Sequence, residues 1–236
     1  MPYITGSEVL RLGGARFDIE GISFVIPPSQ MGNGWPRKGG EGYALLASCE
    51  HPTQGTIPSV MKIFLEDVPA RNARTRFLVK LGMTKSHEWL FQGVPYASFS
   101  PKIVNGTRVV GHLARQIGAK TGGAEDFAGL KQFGQDQLDR LGREERTRLI
   151  VELCCAIYVL ENRGITHGDL SQKNIMIGRS NSGNPRCWLI DFDGLYHTSL
   201  PLLPLKVGND PCRPLGATGY QYPSLLKRIH LNRDNH

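Results

Sequence analysis

The sequence predicts a two-lobed α+β protein. Three observations carry this. The first 115 residues are rich in glycine and β-forming runs, residues 118–129 are small and flexible, and the rest opens with the best amphipathic helix of the chain, followed by a short hairpin flanked by acidic residues. We therefore divide the chain into a β-rich first lobe (1–115), a hinge and linker (116–129) and a second lobe (130–236).

Taken in order, Phe17-Asp18-Ile19 and Ile22-Ser23-Phe24-Val25-Ile26 read as strands, ended by Pro27-Pro28, since proline cannot donate to a ladder. A loop with Gly32, Gly34 and Pro36 leads to Gly39-Gly40-Glu41-Gly42. An apolar strand follows from Tyr43 to Ala47, then a turn-rich stretch with Pro52 and Gly55, then a strand from Ser59 to Leu65. A helix is expected over Pro69 to Leu81, with proline in its first turn, Phe77, Leu78 and Leu81 on one face and Gly82 at its end. Its basic residues Arg71, Arg74, Arg76 and Lys80 read as a solvated face in preference to a nucleic-acid or phosphate patch. A short helical pattern surrounds Glu88-Trp89-Leu90-Phe91. Strands over Phe99 to Val104 and Arg108 to Leu113 are joined by Asn105-Gly106, a strong hairpin signal. From Arg143 to Arg163, the apolar residues Leu149, Leu153, Ala156, Ile157 and Leu160 recur at helical spacing, with acidic residues near the start and Gly164 as a stop. Gly164-Ile165-Thr166 reads as an apolar strand. Ile175 to Ile177 and Trp188 to Ile190 read as a hairpin closed by the turn-rich Arg179 to Pro185.

Composition narrows the function classes. Hydrophobic content of 40% and charged content of 21% are ordinary for a soluble globular protein. No apolar run is long enough for a membrane span, and Met1-Pro2-Tyr3-Ile4 does not begin a signal peptide, so a cytoplasmic protein is expected. Five scattered cysteines without zinc spacing read as buried thiols. The net charge of +7 favours anionic partners such as nucleotide phosphates without selecting one. Nucleic acid is not expected, because no aromatic platform or known motif accompanies the basic stretch.

The chemistry-bearing residues cluster in the second lobe. His167-Gly168-Asp169-Leu170-Ser171-Gln172-Lys173-Asn174 is followed by Asp191-Phe192-Asp193-Gly194. Phosphoryl transfer needs a carboxylate beside the attacking hydroxyl, oxygen ligands for magnesium, a cation on the nucleotide phosphates and backbone amides over them. Asp169 fits the first need. Asn174 and Asp191 are hard oxygen donors suited to magnesium, and the hairpin between them brings them together. Asp193 either touches a second metal or caps the following turn.

At this point the chain resembles the protein kinase superfamily, whose catalytic loop reads H-R-D-x-x-x-x-N and whose metal loop reads D-F-G. The resemblance spans about residues 38 to 224 and looks closest to bacterial Ser/Thr protein kinases of eukaryotic type. It implies a protein-kinase-like two-lobed fold using ATP and Mg2+, with Asp169 as catalytic base, Lys62 of Val60-Met61-Lys62-Ile63-Phe64 on the α- and β-phosphates, and Gly40, Gly42 and Ala44 in the glycine-rich loop. It places adenine at the Gln116 to Ala119 hinge. Glu88 is the candidate partner of Lys62, because the helix Pro69 to Leu81 holds no glutamate; a surface role for Glu88 is the alternative. Lys173 reads equally as a γ-phosphate contact or a solvent lysine. Gly216-Ala217-Thr218-Gly219-Tyr220-Gln221-Tyr222-Pro223-Ser224 resembles the end of an activation segment, with Thr218 contacting the catalytic Asp.

The departures matter. Gly168 stands where the family has arginine, so activation through a phosphorylated loop is not implied. Ser224 replaces a buried glutamate. The chain is expected to be a fragment, with an incomplete C-lobe whose exposed surface leaves room for a homodimer. The main expectation is transfer of the γ-phosphoryl group to a Ser/Thr hydroxyl of a protein substrate. Two alternatives stay open: a small-molecule kinase of the aminoglycoside or choline type, where His-Gly-Asp is at home, and a nucleotide-binding pseudokinase scaffold.

Overall fold

The computed structural model describes residues 4–19, 21–30, 35–39, 41–51, 55–66, 69–82, 93–117, 128–132, 140–170, 174–179 and 184–200.

 The last of these stretches runs from Asn184 to Leu200. The fold is mixed α/β, rich in strands and poor in helices, and it forms two compact units: residues 1–83 with 95–124, and residues 84–94 with 125–236.

The first unit is built on a seven-stranded antiparallel sheet. Its strands are β1 (Arg16–Ile19), β2 (Ile22–Val25), β3 (Arg37–Lys38), β4 (Gly42–His51), β5 (Gly55–Phe64), β6 (Pro95–Val104) and β7 (Thr107–Arg115), in the order β1-β2-β4-β5-β7-β6, with β3 paired to β4. Strands β4 and β5 run longer than their apolar stretches suggested, because they pair residue for residue from Gly42↔Phe64 to His51↔Gly55. Gly55 takes a φ of 69°, which a side chain would resist. Between β6 and β7, Asn105 and Gly106 both have positive φ (48° and 75°), as the two-residue hairpin signal requires.

Alternation puts Tyr43, Leu45, Ala47, Cys49, Ile57, Met61 and Ile63 on one face of the sheet, where they join Phe24, Ile26, Phe99 and Leu113 in the core. A short helix, α1 (Gly6–Leu10), adds Val9, and its flanks add Ile4 and Leu12. Each such side chain contributes about 1.5–3 kcal/mol by leaving water. The other face carries Ala44, Lys62 and His112, which are direct cross-strand neighbours.

Helix α2 spans Pro69–Leu81, as its sequence predicts, but it turns differently. Arg71, Arg74, Thr75 and Leu78 face inward, whereas Phe77 is only half-buried. The basic stretch expected to be solvated is therefore partly internal, with Arg71 at 7% and Arg74 at 2% exposure. Their apolar stems pack like hydrocarbon while their heads find local partners: Arg74 Nη1 donates to Ala70 O at 2.7 Å, and Arg71 Nη2 lies 3.2 Å from Glu41 Oε1.

In the second unit, β8 (Ala128–Gln132), β9 (Ile175–Arg179) and β10 (Pro185–Leu189) form an antiparallel sheet in the order β10-β9-β8. Strand β8 begins inside the stretch read from the sequence as linker. Helix α3 (Arg143–Glu161) starts at Gly142, whose N–H donates to Glu145 Oε2 at 3.0 Å, and it buries Leu149, Leu153, Ala156, Ile157 and Leu160, the residues its periodicity singled out. Glu152 is buried among them at 6% exposure. It accepts hydrogen bonds from Arg186 Nη1 at 2.7 Å and Cys187 N at 3.0 Å, tying α3 to β10. Gly164 (φ 66°) ends the helix, and Ile165 N still donates to Leu160 O at 2.9 Å. That bond keeps Ile165 out of a ladder, so the strand expected at Gly164 to Thr166 shrinks to a single bridge, Thr166↔Tyr196.

Among the described residues, no helix is long and apolar enough to cross a membrane.

Candidate active site

The catalytic-looking loop is folded against the turn that follows β10. Thr166 and Tyr196 exchange two backbone hydrogen bonds of 2.9 and 2.8 Å, which set residues 167–169 beside the short 3-10 turn Phe192–Gly194. Gly168 adopts a φ of 83°, and a Cβ there would lie 1.8 Å from Gly194 O. The contact leaves no room for a side chain. The glycine that replaces arginine in this loop is thus a steric requirement of the way the two turns meet.

His167 anchors the loop from within. Its ring is 1% exposed, bonded through Nε2 to Ile190 O at 3.1 Å and packed on Phe192 with ring centres 4.6 Å apart. With Nε2–H donating, Nδ1 is the acceptor, and Asp169 N–H approaches it at 3.4 Å. Burial pushes the imidazole pKa below its ordinary value, opposed by the Ile190 carbonyl and the charges of Asp191, Asp169 and Asp193. The ring is a neutral hydrogen-bonded post.

Asp169 itself is exposed. Asn174 Nδ2 donates to Asp169 O at 2.8 Å and to Asp169 Oδ2 at 2.8 Å. Both amide hydrogens are spent on the aspartate, so the loop closes on itself and the carboxylate is held on one side. Ile190 N donates to Asn174 O at 2.9 Å, which brings the end of β10, and Asp191 after it, next to the start of β9. Asp191 sits in the left-handed region (φ 61°, ψ 65°) and is exposed. A non-glycine residue in that region is strained and needs surrounding structure to hold it. Asp193, in contrast, is 5% exposed within the turn.

These donors fit magnesium in kind. Asn174 retains Oδ1 as an acceptor once its amide hydrogens are used, and Asp191 adds a carboxylate on an exposed residue. Magnesium is usually held by one or two carboxylates together with substrate phosphates and water. Among the described residues, no three carboxylate, histidine or cysteine side chains converge into an all-protein metal cage.

The first unit holds the other expected residues that can be described. Gly42 pairs with Phe64, and a Cβ on it would lie 2.2 Å from Ile63 O. Lys62 is half-buried and lies across from Ala44 on one side and from His112 on the other. His112 is buried and meets Phe64 edge-on at 5.5 Å. Gly111 allows β7 to pass close to β5, since a Cβ there would lie 1.9 Å from Lys62 O. Gly40, Glu88, Lys173 and Thr218, all expected at the site from the sequence, lie outside the described residues, as does the Gly216 to Ser224 segment. The sequence reading did not single out His112, whose place beside Lys62 is visible only through strand register, nor the Glu41–Arg71 pair.

No curated protein matches the chain. Residues 109–198, from strand β7 through the turn after β10, match the model of the lipopolysaccharide kinase (Kdo/WaaP) family, a kinase family within the protein-kinase-like superfamily.

Proposed function

We propose that this protein is an ATP- and magnesium-dependent phosphotransferase whose acceptor is a hydroxyl of a sugar-bearing small molecule or glycolipid. The observation that carries the reaction type is the double hydrogen bond from Asn174 to Asp169, which holds an open carboxylate as a base while leaving Asn174 Oδ1 free to ligate. The acceptor hydroxyl would give its proton to Asp169 as its oxygen forms a bond to the γ-phosphorus and the bond to ADP breaks. His167 and the Gly168–Gly194 contact keep the base in position. Lys62 and the backbone amides around Gly42 would hold the nucleotide phosphates. Asn174 and Asp191 would hold magnesium, which would supply charge neutralisation at the phosphoryl group.

The choice of acceptor draws support from the match to a lipopolysaccharide kinase family and from His167-Gly168-Asp169, which departs from the H-R-D of protein kinases. This favours the small-molecule alternative over a Ser/Thr protein kinase. A protein acceptor is the second reading, and the Gly216 to Pro223 sequence favours it.

The test is incubation with γ-labelled ATP and magnesium, offering in parallel lipopolysaccharide-type sugars, other hydroxylated small molecules and a generic protein. Label is expected on the sugar acceptor and lost in Asp169→Asn. Label confined to the protein would transfer the assignment to the second reading. Nucleotide binding without label on any acceptor would leave a pseudokinase scaffold.

A further inference from the structure

We propose that the Arg71–Glu41 pair is the positioning device for the phosphate-binding turn, coupling helix α2 to the glycine segment in place of a helix glutamate on the lysine strand. The proposal rests on the phosphotransferase reading above.

Helix α2 reads Pro-Ala-Arg-Asn-Ala-Arg-Thr-Arg-Phe-Leu-Val-Lys-Leu and contains no carboxylate. Any ion pair from it to the sheet must run from a helix cation to a sheet anion. The structure contains such a pair, with Arg71 Nη2 3.2 Å from Glu41 Oε1. Arg71 also lies over the Phe64 ring, with its guanidinium carbon 5.0 Å from the centroid. Phe64 is the residue paired with Gly42. The guanidinium therefore touches Phe64 at the end of β5 and Glu41, the residue just before β4. Among the described residues its Nε–H has no hydrogen-bond partner, so Glu41 and the Phe64 ring are what hold it.

Glu41 is fixed through its backbone as well. Leu65 N donates to Glu41 O at 3.0 Å, and Gly39 N donates to Gly42 O at 2.8 Å. The turn is thereby pinned at the strand end on one side and at the helix on the other. Lys62 lies two residues before Phe64 on the same strand, so a shift of this clasp moves the turn relative to the lysine. A half-buried ion pair is well suited to this task, because it is directional and loses strength if either partner moves. Neither residue needs to touch the nucleotide.

The experiment compares wild type with Arg71→Met, Arg71→Lys, Glu41→Arg and the exchanged pair Glu41→Arg/Arg71→Glu. MgATP affinity is read by titration calorimetry, KM and kcat by label transfer, and folding by thermal melting. Arg71→Met keeps the packing over Phe64 and removes the charge. It is expected to raise KM for ATP about tenfold with kcat nearly unchanged, the signature of lost ground-state positioning worth one charge-assisted hydrogen bond. Arg71→Lys should lose less, and the exchanged pair should recover most of the loss seen in Glu41→Arg. The proposal is overturned if the folded variants lower melting temperature without moving KM, which is a structural role alone. It is equally overturned if the exchanged pair is no better than Glu41→Arg. A wild type that neither binds MgATP nor transfers phosphate would sink the phosphotransferase reading itself, and the clasp with it.

Discussion

The catalytic-looking loop and the glycine-turn region organise charge in opposite ways. In the loop, Asp169, Asn174 and Asp191 lie within one stretch of chain, and their geometry follows from local turns and one hairpin. Around the glycine turn, Glu41, Lys62, Arg71 and His112 arrive from a turn, a strand, a helix and another strand, and only pairing and packing bring them together. A local device is set by the turns it contains and breaks when one of its atoms changes. A distributed device depends on element orientation, so either end can be exchanged with its partner. Mutations should separate the two.

The largest effect is expected at Asp169, the proposed base. Asp169→Asn should reduce turnover by about a thousandfold, the range of a lost general base, with the melting temperature little changed. A variant retaining wild-type turnover would remove Asp169 from the chemistry and break the comparison at its strongest point. Next comes Gly168→Ala. With φ at 83° and a Cβ only 1.8 Å from Gly194 O, the substitution should cost roughly 3 kcal/mol in urea unfolding and disorganise the Asp169 loop. A neutral result would show that the two turns can separate freely.

Glu152→Ala addresses the scaffold beneath the loop. It removes the acceptor of Arg186 Nη1 and of the buried Cys187 N–H, and should destabilise by about 2 kcal/mol in the same measurement without altering KM for ATP. A change in KM with no loss of stability would instead make Glu152 part of the site.

The smallest effect concerns pH. Because His167 is neutral when folded, with its pKa below the ordinary value of 6.5, the unfolded chain binds the extra proton first as pH falls. This contribution to stability is complete above about pH 6.5 and is lost on acidification toward the folded-state pKa, with a slope of at most about 1.4 kcal/mol per pH unit. Urea midpoints between pH 7.5 and 5 should fall more steeply in wild type than in His167→Asn. Parallel slopes would show that the imidazole does not differ between the two states.

Much of this protein was legible in its residues. The Asn105-Gly106 hairpin, the α2 limits, the buried stripe of α3 and the grouping of Asp169 with Asn174 all depend on short-range rules: turn dihedrals, helical period and caps. Three matters needed the tertiary structure. The inward turn of Arg71 and Arg74 reversed the expectation of a solvated face, because burial is decided by what an element packs against and not by its charge count. The collapse of the Gly164 to Thr166 strand followed from Ile165 remaining bonded to the end of α3. The reason for Gly168 appeared only when Gly194 O was placed against it. The sequence by itself determined which groups can do phosphoryl-transfer chemistry, since that is a property of side-chain types at short spacing. Tertiary structure alone decided which charges meet across elements, since those contacts are made by packing between segments distant in the chain.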